Sequence, residues 1–497
     1  MIPRSSGILL PVFSLPSPYG IGTFGRAAYD FIDLLHSSGQ RYWQMLPLGP
    51  TSYGDSPYQS FSTFAGNPYF IDLDLLCDEG LLKRGELPTD CGTPDRVDYG
   101  WLYRTRFAIL EKAFARFLAL PDAEGRLDAF RAKNTDWLDD YALFMALKDF
   151  HGGAPWTEWD EPLRMREASA LETARTEHAE RIRFHIFLQY AFSGQYAALK
   201  AYAASRGIRI IGDVPIYVPL DSADVWASPD EFLLDERRMP GAVAGVPPDY
   251  FSADGQLWGN PLYDWAHMRE TGYAWWIRRI GAAIKRFDVL RIDHFRAFST
   301  YWSVPAGSQT ARTGEWKQGP GMEFLSRIQA WFAGLDVIAE DLGLLSEDVY
   351  ALVRASGFPG MKVLQFAFSG DGDNEYLPHR YGENCVCYTG THDNTTAAAW
   401  FGEAKKDEAD MARAYFGIRR GESGHLGMIR GGMTSCAKLF VTGLQDWLGL
   451  GGEARINTPG TLGGNWVWRM TKSQLAAVPT DTIRNLTHIS GRDKGGN

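Results

Sequence analysis

The chain has 497 residues, of which 45% are hydrophobic and 22% charged, ordinary values for a globular protein with a large core and a length that one barrel with insertions can absorb. Its formal net charge of −10 argues against nucleic acid and anionic membrane as partners. No apolar run approaches the ~18 residues that span a bilayer. Pro11 and Pro16 break the one apolar patch near the start, so no signal or transit peptide is expected and the cytoplasm is the expected compartment.

Five cysteines are few and odd in number, and Cys385 and Cys387 lack the further ligands a zinc site needs, so reduced core thiols are expected. The aromatic content is high, with 17 Trp, 22 Tyr and 28 Phe. Trp and Tyr join a flat apolar face to a hydrogen-bonding edge, a combination that suits sugar rings, and this points weakly toward carbohydrate.

Over residues 23–36 the apolar positions Ala28, Phe31, Ile32 and Leu35 keep helical spacing, and Gly39 supplies a stop. YWQMLPLGP (42–50) reads as a strand closed by Pro47, and a polar loop punctuated by Gly and Pro follows it. A helix, a strand and a long loop at the strand's C-terminal end are the parts of a β/α unit whose loop carries function. Residues 77–180 break the alternation. Charged, helix-prone segments at 103–118, 123–132, 136–151 and 167–183 predict a mainly helical insertion with solvated faces.

The alternation resumes with a helix over 187–204, ended by Gly207, and the apolar strand IRIIGDVPIYV (208–218), which carries Asp213. Residues 239–261 are rich in Gly and Pro, carry Tyr250, Phe251, Gln256 and Trp258, and show no periodicity. They predict a long loop inside a loop-rich insertion at 219–270 that forms part of a cleft. A helix over 275–286 then leads into FDVLRIDHFRAF (287–298). If this is a strand, Arg291 and Asp293 point the same way, and a buried Arg beside a buried Asp is costly unless the pair is used. A helix over 324–332, the strand LDVIAEDLG (335–343) with Glu340 near its end, and a helix over 346–356 follow. The strands MKVLQFAF (361–368) and CVCYTGTHDNTT (385–396) come next, the second with His392 and Asp393 near its end, and the last residues, 491–497, read as frayed.

Repeated helix-then-strand units predict a parallel sheet, and their number favours a closed (β/α)8 TIM barrel, a single catalytic unit over 1–497 with helical and loop insertions. No GxGxxG follows a strand and no GxxxxGK[ST] occurs, so nothing positive supports a nucleotide fold. Four apolar strands place acids near their C-terminal ends, Asp213, Asp293, Glu340 and Asp393, and in such a barrel those ends converge on one cleft. One such acid is commonly a helix N-cap, but four with Arg291 and His392 beside them are poorly explained as caps. Clustered carboxylates mean either a metal site or a pair sharing acid and nucleophile work.

Seven segments carry a resemblance: SPYQSFSTFAGNPY, GDVPIYV, GQLWGNPLYDW, LRIDHFRAF, VIAEDLG, YTGTHDN and RINTPGTLGGNWVWR. In these residues the chain resembles the amylomaltases, the 4-α-glucanotransferases of glycoside hydrolase family 77, related to the α-amylase superfamily. The likeness runs in the family's order from Leu9 to Arg469, with one small departure at Thr395, where Asp is expected in many relatives. It implies that Asp293 is the nucleophile toward an α-1,4-glucan, Glu340 the general acid and then base, and Asp393 a grip on the sugar hydroxyls that tightens toward the transition state. Arg291 is expected to hold Asp293 ionised, and His392 and Asp213 to orient the same sugar. Gln256 and Trp258 resemble substrate-contacting loop positions, Tyr58 an aromatic contact on the other wall, and Asn457 part of a cleft-lining turn. Tyr250 and Phe251 are expected to close over the acceptor side and exclude water. The resemblance implies maltooligosaccharides and α-1,4-glucans as partners, glucose as acceptor, and no metal or other cofactor. An α-glucan hydrolase on the same fold, a non-catalytic glucan-binding protein and a metal-dependent barrel enzyme stay as alternatives, since the same carboxylates serve more than one of these.

Overall fold

The apolar runs that helices separate along the chain come together side by side. The computed structural model describes residues 2–248, 252–343, 345–370 and 372–493. Its strands, in chain order, are β1 (Ser5–Leu9), β2 (Tyr42–Gln44), β3 (Arg209–Pro215), β4 (Ala242–Val246), β5 (Gln256–Pro261) and β6 (Val289–Asp293). They continue with β7 (Thr300–Pro305), β8 (Glu315–Gln318), β9 (Val337–Ala339), β10 (Gly360–Val363), β11 (Cys385–Tyr388) and β12 (Leu439–Gly443).

Eight of these form one parallel sheet in the order β10–β11–β12–β1–β2–β3–β6–β9. The order is the chain order wrapped into a circle, and the N–H of Ala339 at the end of β9 donates to the carbonyl of Pro359, just before β10, at 2.9 Å. The fold is a (β/α)8 TIM barrel. Its strands are buried on both faces, which explains their continuous apolar runs. β1 and β12 do not appear in the sequence-based reading. Each is only five residues long, without polar alternation to mark it.

Helices cover the outside by their apolar stripes. Ala274–Arg286, for example, buries Trp275, Trp276 and Ile280 together with Arg279. Arg279 is satisfied rather than stranded: it donates to Thr63 Oγ1 at 2.8 Å, the carbonyl of Ile216 at 2.8 Å and the Tyr263 hydroxyl at 3.1 Å, tying the end of β3 to the cleft wall. Between β2 and β3 stand the helices Tyr99–Leu118, Ala123–Ala132, Leu138–Phe150 and Ala168–Glu177, then the 27-residue helix Ala179–Ser205 that packs on the barrel. The expected helices at 167–183 and 187–204 are divided instead at His178.

The expected long loop at 239–261 is a correction. It contains β4 and β5, which join β7 and β8 in a four-stranded antiparallel sheet, order β5–β4–β7–β8, over a small cluster of Val243, Val304 and Ala311 packed by Trp302. β4, AVAGV, has no alternation, and β5 contains Gly259 and Pro261, which ordinarily argue against a strand. The pairing of β4 with β7 is non-local and cannot be read from either segment alone. Tyr250 and Phe251 lie outside the described residues. Of the cysteines, all free, Cys385 and Cys387 are buried, whereas Cys436 is exposed and Cys77 and Cys91 are half-buried, so the core-thiol reading holds for two of the five. Among the described residues no helix is long and apolar enough to cross a membrane.

Candidate active site

Strand register brings the acids together. β3 and β6 pair Asp213 with Arg291, and β6 and β9 pair Ile292 with Ala339. Asp293 and Glu340 each follow a paired residue, so they emerge side by side on strands about 4.8 Å apart. The pairing continues past the strand ends. Glu340 N–H donates to the carbonyl of Ile292 at 3.1 Å, and Phe295 N–H donates to the carbonyl of Glu340 at 3.1 Å.

Arg291 is the hub. Its Nη1 donates to Asp213 Oδ1 at 2.8 Å and Oδ2 at 2.7 Å, and to Asp293 Oδ1 at 2.7 Å. The side chains of Arg291 and Asp213 are 3% and 0% exposed, so this cation cannot turn to water and is committed to the two acids. Asp293 keeps 30% of its side-chain surface open, as a group facing a cleft must.

Asp293 stands under opposing electrostatic effects. Loss of water raises its pKa above the ordinary carboxylate value, Arg291 pulls it down, and Asp213 pushes it up again. Arg291 therefore moderates the rise and does not cancel it. Glu340 is pushed up to about 8, first by burial and then by the negative charge of Asp293. Two backbone donors oppose this: His294 N–H on Oε2 at 2.6 Å and Leu342 N–H on Oε1 at 2.9 Å. With Arg291 against Asp293 and no cation in hydrogen-bond contact with Glu340 among the described residues, the pair's first negative charge settles on Asp293 and the shared proton on Glu340.

The opposite wall is built after β11. The strand stops at Tyr388, earlier than expected, and His392 and Asp393 stand in the turn that follows. Thr391 N–H donates to Asn394 Oδ1 at 2.9 Å, while Asp446 accepts from Thr389 Oγ1 at 2.6 Å and Ala397 N–H at 2.7 Å, pinning both ends of the turn. Asp393 Oδ1 accepts from Asn457 Nδ2 at 2.6 Å, and its Oδ2 lies 3.4 Å from His392 Nε2. Thr395 reaches Glu403 at 3.3 Å, away from the strand-end acids.

Tyr58, from the loop after β2, donates to Asp213 Oδ2 at 2.8 Å, and its ring stacks on His392 with centroids 5.1 Å apart. Burial holds its hydroxyl pKa well above the usual value, so it remains a donor. Gln256 and Trp258 share the half-buried face of β5, with the Trp258 indole N–H on Gln256 Oε1 at 3.2 Å. Trp258 meets the ring of His294 edge-on. The structure thus joins Asp213, Arg291, Asp293, Tyr58 and His392 in one contact chain, with Asp393 and Asn457 linked to it through His392, Glu340 set beside Asp293 and Trp258 reached through His294.

Sequence reasoning missed Arg455 and His294. Arg455 Nη2 donates to the carbonyl of Asp393 at 2.6 Å and Nε to that of Asn457 at 2.7 Å, bridging two segments far apart in the chain. His294 follows the end of β6, and its position directly after Asp293 is the available signal. Among the described residues no group of three or more His, Cys, Asp and Glu side chains could hold a metal ion.

A family model described as 4-alpha-glucanotransferase, of glycoside hydrolase family 77, matches residues 10–475. The 4-alpha-glucanotransferase of Thermus thermophilus is 50% identical over 501 residues, covering 99% of this chain and 99% of its own. That of Clostridium butyricum is 46% identical over 485 residues, 97% of this chain and 99% of its own. The amylomaltase of Streptococcus agalactiae, solved in complex with acarbose, superposes with a TM-score of 0.97 at 42% identity, over 99% of this chain and 100% of that one.

Proposed function

The chain belongs to glycoside hydrolase family 77, the 4-alpha-glucanotransferases, and we propose that its paired strand-end acids run that reaction as a double displacement. The observation that carries the reading is the unequal pair: Asp293 in contact with Arg291 at 2.7 Å, beside a Glu340 pushed up to about 8. At neutral pH one carboxyl is ionised and the other protonated, the state a nucleophile and an acid require.

In the first step an Asp293 carboxylate oxygen attacks C1 of an α-1,4-linked glucosyl unit. The C1–O bond to the departing chain breaks, and the Glu340 proton passes to that oxygen, leaving a β-glycosyl ester on Asp293. In the second step the 4-hydroxyl of an acceptor attacks the same C1, gives its proton to Glu340, and displaces Asp293. Two inversions restore the α-linkage. As Asp293 becomes an ester, the negative charge that raises Glu340 disappears, so the same residue turns from acid to base.

Asp393 grips the sugar hydroxyls, held by Asn457, while His392 lies against the same sugar. Asp213 has both oxygens engaged by Arg291 and one also by Tyr58, so it orients the sugar through those two groups. Gln256 and Trp258 on β5 line the acceptor side and keep water from the ester. The antiparallel sheet and the helices between β2 and β3 are insertions that wall the cleft of one barrel. Donors and acceptors are α-1,4-glucans and maltooligosaccharides, glucose is an acceptor, neither nucleic acid nor membrane is a partner, and the working compartment is the cytoplasm. The acarbose held by the streptococcal relative supports an oligosaccharide in this cleft.

Maltotriose as sole substrate tests the reading. Glucose and longer oligomers are expected at constant reducing-end concentration. A steady rise in reducing ends favours hydrolysis, which the same two carboxyls also perform.

A further inference from the structure

His294 has no part in the two displacements, yet its backbone is unusual. It adopts φ 53° and ψ 47°, the left-handed region that side-chain-bearing residues seldom enter. That turn sends two successive N–H groups to one partner: His294 N–H meets Glu340 Oε2 at 2.6 Å, and Phe295 N–H meets the Glu340 carbonyl at 3.1 Å. The imidazole itself stands edge-on to Trp258, with centroids 4.7 Å apart and planes at 88°. Burial pushes its pKa to about 3, so the ring is neutral, adds no cation beside the acid, and packs as an uncharged plate.

We propose that His294 is a positioning residue for proton transfer, acting through its backbone: the left-handed turn aims its N–H at Glu340 and fixes the orientation of that carboxyl. This rests on the reading of Glu340 as acid and base. The N–H favours the ionised carboxyl, opposing burial and Asp293 and adding to the pull of Arg291. Among the described residues, Arg296 in the following turn and Tyr376 also sense Glu340. Misdirecting the N–H raises the pKa of Glu340 and leaves its ionised carboxyl turned away from the acceptor hydroxyl, which slows the second step in particular, where Glu340 acts in its ionised form.

Two substitutions separate backbone from ring, since both remove the imidazole. Asn tolerates the left-handed region, and β-branched Val resists it. His294→Asn is expected to keep the basic limb of the kcat/KM profile within about 0.3 pH unit and kcat within about threefold of wild type. His294→Val is expected to move that limb upward by about 0.5–1 unit and to lower kcat about tenfold or more with little change in KM. Burst kinetics with an α-maltosyl fluoride donor, whose leaving group needs little protonation, should show the glycosyl-enzyme accumulating in the Val variant. Thermal melts confirm that both variants are folded. An unshifted limb in folded His294→Val, or a limb in His294→Asn displaced as far as in the Val variant, overturns the proposal. Glu340→Gln with the same fluoride tests the underlying reading separately: fluoride must rescue its first step, and failure there removes the acid role itself.

Discussion

Replacing Glu340 by Gln should stabilise the protein, increasingly so as the pH rises. The native pKa of Glu340 lies at about 8 against an ordinary value of 4.5, so between those values the folded state holds a proton that the unfolded chain has released. This contribution is fully present below about pH 4.5 and is lost as the pH climbs through 8. A rise of about 3.5 pH units at about 1.4 kcal/mol each sets a ceiling near 5 kcal/mol. The carboxyl is partly open to solvent and shares its titration with Asp293, which reduces the expected gain to about 2–4 kcal/mol. Gln has no proton to lose. The difference in unfolding free energy between Glu340→Gln and wild type, from urea midpoints at about pH 4.5, 6.5 and 9, should therefore grow by that amount toward high pH. A difference that stays flat or shrinks as the pH rises would refute the claim that burial and Asp293 hold Glu340 protonated.

Arg291→Met leaves Asp213 and Asp293 without their shared cation. Urea unfolding should show a loss of about 3–5 kcal/mol, and the acid limb of the pH–rate profile should move up by about 1–3 units as Asp293 becomes harder to ionise. Asn457→Ala removes the 2.6 Å bond to Asp393 at the rim of the cleft, so kcat/KM should fall about tenfold with the melting temperature nearly unchanged. Trp258→Ala opens the wall that the proposed function assigns to the acceptor. Product analysis from maltotriose should then show reducing ends accumulating at a several-fold higher share of turnover, and an unchanged share would remove Trp258 from water exclusion.

The strand-end acids were visible in the sequence because a charge inside an apolar run is costly, and Arg291 and Asp293 share a face by the two-residue period of a strand. Their partners were not visible in that way. The pairing of Asp213 with Arg291 depends on the register between β3 and β6, and Asn457 meets Asp393 across 64 residues of chain, facts that no local pattern contains. β4 and β5 read as loop because AVAGV lacks alternation and Gly259 and Pro261 contradict the strand they sit in, while the sheet they enter depends on the non-local pairing of β4 with β7. The sign at Asp293 also depended on the fold. Sequence supplies the Arg, but only the packed cleft shows that burial outweighs it.

The proposed double displacement requires a covalent glycosyl ester on Asp293. Glu340→Gln supplied with α-maltosyl fluoride and no acceptor should form the ester and stall, since the fluoride leaves without an acid and no base remains to release the sugar. Intact-protein mass spectrometry should show one added maltosyl group, and the peptide holding LRIDHFR should carry it at Asp293. An unmodified protein, or a maltosyl group on any other residue, would contradict the account.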